Sequence, residues 1–313
     1  MEHQRDEQLG EQLDEQLGEL RALAAGAENR RTETGIPRVA MVQGRVPEHE
    51  LAAVYEPMVN LILRGSKTMT IGDRRLHYDP ATYFVMSLEL PAVGTVHPEP
   101  SGAPYLAVSL SLEPPRLAAL LADLPAADLA GAPRRGFSVA RMTPALMDAW
   151  LRLMRLMREP AAIPALAPAY EREILYRVLQ GPQGDLLRAI ALPDSGLARV
   201  QRAIQRIRRE FDRPLRMEEL AAQAALSVSA FHRHFKAATA LSPLQYQKQI
   251  RLLRARALIL AGRHSITAAA YEVGYESPNQ FSREYGRAFG LPPQRDVARI
   301  LGTARQGSAA QAQ

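Results

Sequence analysis

Cysteine is absent from all 313 residues. That one fact removes disulfide frameworks, thiolate zinc sites, catalytic thiols and thiol redox sensing. Long apolar runs are missing too: nothing approaches the ~18 consecutive apolar residues that a membrane-spanning helix requires. The opening stretch MEHQRDEQLGEQLDEQL is acidic and polar, unlike a secretory signal, so a cytoplasmic protein is the expectation. What is present is ordinary for a globular chain, with 47% hydrophobic and 23% charged residues and length enough for two domains and a tail.

The formal charge of +6 hides an asymmetry. From Leu197 onward nineteen Lys and Arg stand against eight Asp and Glu, a net of +11; residues 1–196 hold twenty against twenty-five, a net of −5. A basic second half joined to a mildly acidic first half suggests that the second half meets a polyanion. Basic surfaces are often merely solvated, so charge needs support from pattern.

Residues 6–20 repeat EQL, which would place Leu9, Leu13, Leu17 and Leu20 on one helical stripe. The repeat is low in complexity and carries two glycines, so residues 1–35 read as a flexible acidic arm. From Ile36 to Leu112 short apolar runs such as VNLILRG, SKTMTIGD, TYFVMSLEL and PYLAVSLSL alternate with turn pairs, among them Gly72-Asp73 and Asp79-Pro80. Closely spaced strands of this kind indicate an antiparallel barrel or sandwich. Between Arg116 and Ile190 the spacing turns helical, with Leu146, Trp150, Leu153, Met154 and Met157 on one face. Proline and glycine return at 181–196, which places the linker at about 191–196, the first domain at 36–190, the second at 197–302 and a disordered tail at 303–313. The fold class is therefore α+β: a β domain with trailing helices, then an all-α domain.

The second domain matches itself after a shift of fifty. Ser227 falls on Ser277, Phe231 on Phe281, Arg233 on Arg283, Phe235 on Tyr285 and 240–243 on 290–293. Two copies of one supersecondary unit are implied. Each has the layout of a helix-turn-helix: MEELAAQAAL then SVSAFHRHFKAAT, and ITAAAYEV then SPNQFSREYGRAF, joined by a long helix. Ser277, Pro278 and Gln280 have the spacing of a capping box. In the first unit Val228, Phe231 and Phe235 share the inward face, while Ser229, His232, Arg233 and Lys236 share the outward one. In the second, Phe281, Tyr285 and Phe289 turn inward, and Asn279, Arg283 and Arg287 outward. A single polar helix face is ordinarily just solvated. Two such faces, fifty residues apart in a basic domain, match the side chains that read base edges in a major groove.

The runs MEELAAQAALSVSAFHRHFK, ALSPLQYQKQIRLLRARALI and ITAAAYEVGYESPNQFSREYGRAFGLPP resemble the DNA-binding domain of AraC/XylS-type transcriptional regulators. The family usually has glycine where Ala240 stands. YEPMVNLILRGSKTMTIGDRRLHYDPATYFVMSLELPAVGTV and PYLAVSLSLEP resemble the regulatory domain of one subgroup, a cupin-like barrel backed by helices and used for effector sensing or dimerisation. The resemblance implies that the two recognition helices enter successive major grooves about 34 Å apart. It puts Ser229, His232, Arg233, Asn279, Gln280 and Arg283 at base-facing positions, and leaves Lys236, Lys248, Arg251, Arg254 and Arg287 as phosphate contacts. Double-stranded DNA is the implied partner, with RNA polymerase, a small-molecule effector and a second copy of the chain as further ones. No cofactor and no membrane are implied. Tyr55, Asn60, Tyr83, Met86 and Tyr105 are candidate effector-pocket residues.

Two other function classes compete. A cupin-like barrel with a catalytic metal would need clustered histidines and a carboxylate. Here His49, His77 and His97 stand isolated in sequence, and the side chains of His232 and His234 diverge on a helix. Alkyl-transfer repair, found with this type of DNA-binding domain, needs a cysteine nucleophile. No enzyme is therefore expected. In a pure dimer scaffold, Leu146, Trp150, Leu153 and Met157 would form the seam.

Overall fold

A computed structural model describes residues 2–44, 51–125, 135–262 and 264–310, with side chains placed only from 11 to 302 within those ranges. Among the described residues of the first half there are ten strands: β1 (Thr32–Glu33), β2 (Val39–Gly44), β3 (Ala52–Tyr55), β4 (Met58–Arg64), β5 (Ser66–Ile71), β6 (Arg74–Tyr78), β7 (Thr82–Met86), β8 (Leu90–His97), β9 (Tyr105–Ser111) and β10 (Phe137–Arg141). They pair antiparallel in two facing sheets, ordered β1-β2-β9-β4-β7-β10 and β3-β8-β5-β6. β4 and β7 are buried on both faces, since one looks into the barrel and the other meets helices. Their sequences are accordingly near-continuous apolar runs without clean alternation. The expected α+β class and barrel-like first domain are what the chain adopts.

Helices α1 (Glu2–Leu23), α2 (Pro114–Ala122), α3 (Pro144–Arg155), α4 (Ile163–Gln180) and α5 (Gly184–Ala191) complete this half. The flexible arm is corrected here. Leu17, Leu20 and Leu23 of α1 are buried in the main core, each gaining roughly 1.5–3 kcal/mol. Glu19 takes two hydrogen bonds from Arg155 of α3 (2.7 and 2.8 Å), and Arg21 Nε donates to the Leu63 carbonyl oxygen (2.7 Å). Low sequence complexity hid a leucine stripe that has a surface to cover. Leu146, Trp150 and Leu153 are likewise core, at most 1% exposed, so they form no seam. The stretch before the expected linker is helix, with Leu186, Leu187 and Ala189 of α5 buried, and 192–195, within the expected 191–196, bridge to the next helix.

The second half is helical throughout: α6 (Gly196–Arg209), α7 (Met217–Gln223), α8 (Val228–Thr239), α9 (Pro243–Leu260), α10 (Ile266–Glu272), α11 (Pro278–Phe289) and α12 (Pro293–Ala310). The helix of α12 takes in most of the expected disordered tail, and 311–313 lie outside the described residues. Apolar packing divides in an unexpected place. Phe231, Phe235, Ala238, Leu241, Tyr246 and Ile250 belong to the same continuous core as the barrel. Leu252, Ala255, Ile259, Ala269, Ala270, Val273, Tyr275, Phe281 and Tyr285 form a separate cluster. The first helix-turn-helix is thus built onto the barrel, whereas the second carries its own small core.

Candidate nucleic-acid interface

Serine caps start five of these seven helices. The hydroxyls of Ser195, Ser227, Ser242, Ser265 and Ser277 accept from the backbone N–H three residues on. Each satisfies an amide that the helix leaves unpaired, worth about 1 kcal/mol. The reciprocal capping box expected at Ser277 is only half made, because the Gln280 side chain turns to Glu284 instead (3.3 Å). The complete box is at Ser242 and Gln245 of α9.

The turns between paired helices need a left-handed residue. Gly274 supplies it in the second unit (φ 86°) and Ala225 in the first (φ 51°), a site that a shift of fifty misses by one residue. Ala240 ends α8 left-handed as well (φ 59°), which is why glycine is usual there and why alanine costs about 1 kcal/mol.

α8 and α11 present the predicted faces. Phe231 and Phe235 are fully buried below α8, and Phe281 and Tyr285 below α11. Ser229, Arg233, Asn279, Gln280 and Arg283 are exposed, and His232 is half-buried. Val228 departs from its inward assignment: at the first turn of α8 it is 36% exposed, ahead of the point where α8 meets the core. Phe289 is only partly buried. Arg283 Nε rests on the Asn279 carbonyl oxygen (3.3 Å), a long bond on an exposed face that costs little to release.

The five phosphate assignments separate. Lys236, Arg254 and Arg287 are exposed cations. Arg251 is not one of them. Its guanidinium donates to the carbonyl oxygens of Phe211 (2.6 Å), Gly274 (2.8 Å) and Arg213 (3.2 Å), tying the second turn to the end of α6; burial holds its pKa below the usual arginine value. Lys248 pairs with Glu284 (3.0 Å), which also accepts from the Tyr275 hydroxyl (2.8 Å) and from Gln280. Burial opposes ionisation of Glu284, but the bonds from Lys248, Tyr275 and Gln280 prevail and keep its pKa low. Glu284 therefore restrains one base-facing and one phosphate-facing candidate at once. Sequence reasoning passed over it as one more polar residue on α11.

A second buried network fixes α11 from below. Asp296, fully buried, accepts from Arg256 Nε (2.9 Å), the Tyr285 hydroxyl (2.8 Å) and Arg299 (2.6 Å). The Arg256 guanidinium also stacks on Phe289, 4.6 Å from the ring centre.

The barrel docks against the DNA-binding half near the end of α8. Gly136 N–H donates to the Ala238 carbonyl oxygen (2.9 Å), Tyr246 Oη donates to the Glu89 carbonyl oxygen (2.8 Å), and Arg208 pairs with the Glu89 carboxylate. Gly72, in the β5–β6 turn, comes so close that a Cβ there would lie 2.3 Å from the Ala240 carbonyl oxygen. The same turn borders a groove lined by Lys236, Lys248, Arg287 and Glu284.

Inside the barrel, strand register sorts the candidate pocket residues. Asn60, Met86 and Tyr105 face inward, and Tyr55 joins them beside Lys67. Tyr83 does not: it shares the outer face with Leu61, its hydroxyl lies against the backbone at Gly181, and burial pushes its pKa up to about 12. Asn60 is held by the Tyr78 hydroxyl (2.9 Å) and the Val108 carbonyl oxygen (3.0 Å). His77 and His97, isolated in sequence, meet in space. Both reach Thr68 Oγ1 (3.3 and 3.0 Å), with ring centres 6.0 Å apart. Among the described residues no third metal ligand joins them, and His49 lies outside those residues.

Known proteins agree with this architecture. Residues 35–186 match the AraC-type transcriptional regulator N-terminus and residues 220–299 a helix-turn-helix domain family. The HTH-type transcriptional activator RhaS of Klebsiella pneumoniae is 33% identical over 129 residues, 40% of this chain and 45% of that protein. RhaS of Salmonella schwarzengrund is 32% identical over 148 residues, 46% of this chain and 50% of that one, so the chain spans about half the length of these relatives. Among solved structures, apo ToxT from Vibrio cholerae superposes with a TM-score of 0.52 at 9% identity, covering 86% of this chain and 98% of that chain. ToxT with an unsaturated fatty acid bound gives 0.50, also at 9%, covering 78% and 87%. At that identity the likeness is one of fold. With an AraC-type N-terminal domain and two helix-turn-helix units in series, the chain belongs to the AraC-type family of transcriptional regulators.

Proposed function

We propose that this chain is a sequence-specific transcription activator that reads two adjacent major-groove segments and is governed through its barrel domain. The observation that carries the reading is the pair of exposed polar faces on α8 and α11, each set over buried aromatics at the same helical positions. Arg233 and Arg283 occupy equivalent outward positions and suit bidentate contacts to guanine, each worth roughly 1–3 kcal/mol of discrimination. Lys236, Arg254 and Arg287, with Lys248 once Glu284 releases it, serve the phosphates and add affinity without sequence preference. Activation, by analogy with RhaS, makes RNA polymerase a further partner. Control by an effector is supported by the continuous core from the barrel into the first helix-turn-helix, which lets a change in the barrel reach α8 directly.

Arg283→Ala tests the base-reading role. Binding to the cognate fragment should weaken about tenfold or more, with binding to random DNA nearly unchanged. Equal weakening on both would reduce Arg283 to a phosphate contact.

A further inference from the structure

Gln280 is a candidate reader whose message depends on which way its amide is turned. The amide oxygen accepts and the nitrogen donates, so a half-turn exchanges the two at the base edge. On α11 a neighbour makes that choice. Gln280 is the third residue after the Ser277 cap and gives its backbone N–H to the Ser277 hydroxyl (3.4 Å). A glutamine at this place ordinarily folds back to complete the capping box. Here its Nε2 donates instead to Glu284 Oε1 (3.3 Å), one turn further along the same face.

Glu284 is a fixed acceptor. Its side chain is 13% exposed; Oε2 accepts from the Tyr275 hydroxyl (2.8 Å), and Oε1 also accepts from Lys248 (3.0 Å). Tyr275 is itself held edge-on against Phe281, ring centres 5.3 Å apart, with the Arg251 guanidinium 6.0 Å from its own ring centre. Three donors hold the carboxylate in its ionised form, which can accept but not donate. It follows that the nitrogen of Gln280, and not the oxygen, meets Glu284. The amide oxygen and the second N–H remain for the exposed side of α11.

We infer that Gln280 reads adenine, and that Glu284 is the positioning residue that sets its amide for that base. In the major groove adenine shows the N6 donor beside the N7 acceptor, which one amide oxygen and one N–H meet together. Guanine shows two acceptors, O6 and N7, and would set one of them against the amide oxygen. A free glutamine could turn to suit guanine, whereas this one must first break a charge-assisted bond. When Lys248 leaves for a phosphate, Oε1 is left to Gln280, so the orientation survives binding. Glu284 itself touches no base. This deepens the base-reading part of the proposed function and rests on it.

The test uses the full chain and randomised duplex DNA from which bound sequences are selected. Dissociation constants are then measured on the selected duplex and on its single base-pair replacements. Gln280→Ala should flatten the preference at one position. That position should be adenine, favoured over guanine by about tenfold or more in the unaltered chain. Glu284→Gln keeps the shape but can donate as well as accept, which frees the Gln280 amide to turn. It should cut that preference to about threefold or less and leave the guanines read by Arg233 and Arg283 unaffected. Added to Gln280→Ala it should change the preference no further, a coupling that a merely structural carboxylate would not produce. If Glu284→Gln does not fold, Gln280→Ala, at an exposed residue, still decides the base. Another base at that position, an adenine preference intact in Glu284→Gln, or an effect of Glu284→Gln that persists without Gln280 would each overturn the inference. A selected sequence that answers to Arg283→Ala but nowhere to Gln280→Ala removes this inference alone. If no sequence is selected, the regulator reading falls and takes this one with it.

Discussion

Removing the Asp296 carboxylate should unfold the second helix-turn-helix unit and spare the first. Asp296 is fully buried, and the Arg256 side chain facing it is 5% exposed. Truncating one partner of a buried ion pair costs about 3–5 kcal/mol, and loss of the acceptor for Tyr285 lies within that figure because the groups form one network. The second unit has only its own small apolar cluster to offset this, while the first shares the core of the barrel. Asp296→Ala should therefore open α10 and α11 locally. At 1.4 kcal/mol per factor of ten, a 3 kcal/mol loss accelerates their amide exchange by about a hundredfold. Native-state hydrogen exchange read by peptide should show that change in 266–289 and under threefold change in 228–241. Asp296→Asn keeps the shape, loses the charge and should fall between. Burial alone would raise the Asp296 pKa, but the bonds from Arg256 and Tyr285 prevail and lower it. The stability it contributes is thus present above the ordinary carboxylate range and lost as pH falls through the lowered value, so acid should loosen the second unit first. Equal loss of protection in both units, or less than tenfold in the second, would refute the division of the core.

Two further outcomes follow. Ala240→Gly relieves a left-handed alanine at the end of α8 and should stabilise the chain by about 0.5 kcal/mol in urea unfolding, net of the greater freedom glycine gives the unfolded chain. For Lys67, burial pushes the pKa from an ordinary 10.5 down to about 8. The unfolded chain then binds more protons between those values, so stability rises with pH there, by about 2 kcal/mol from pH 7 to pH 9.5. Lys67→Met should abolish that rise, and an unchanged slope would show the ammonium to be solvated.

Much of this molecule was legible in its sequence, for identifiable reasons. The shift of fifty exposed the two helix-turn-helix units because the same aromatic positions must be buried twice, and Phe231, Phe235, Phe281 and Tyr285 are. The serine cap at Ser277 was readable because capping is local. What failed was whatever depended on a distant partner. The EQL stripe looks like a free arm until β4 and α3 are there to receive Leu17 and Leu20. Arg251 looks like a phosphate contact until the turns ending at Phe211 and Gly274 converge on it. His77 and His97 are twenty residues apart in sequence but flank one threonine across three strands. Lys67 sits in SKTMTI among polar residues and reads as surface, and only the register of β5 turns it inward.

The most direct test of the account is a salt-dependent binding titration with methylation-interference footprinting, on fragments taken from beside the gene that encodes this chain. One fragment should bind well beyond a random competitor, with interference at guanines in two major grooves about one helical turn apart; Arg233→Ala and Arg283→Ala should each relax a different one. Salt-sensitive binding that ignores sequence, or interference confined to one groove that neither substitution alters, would contradict it.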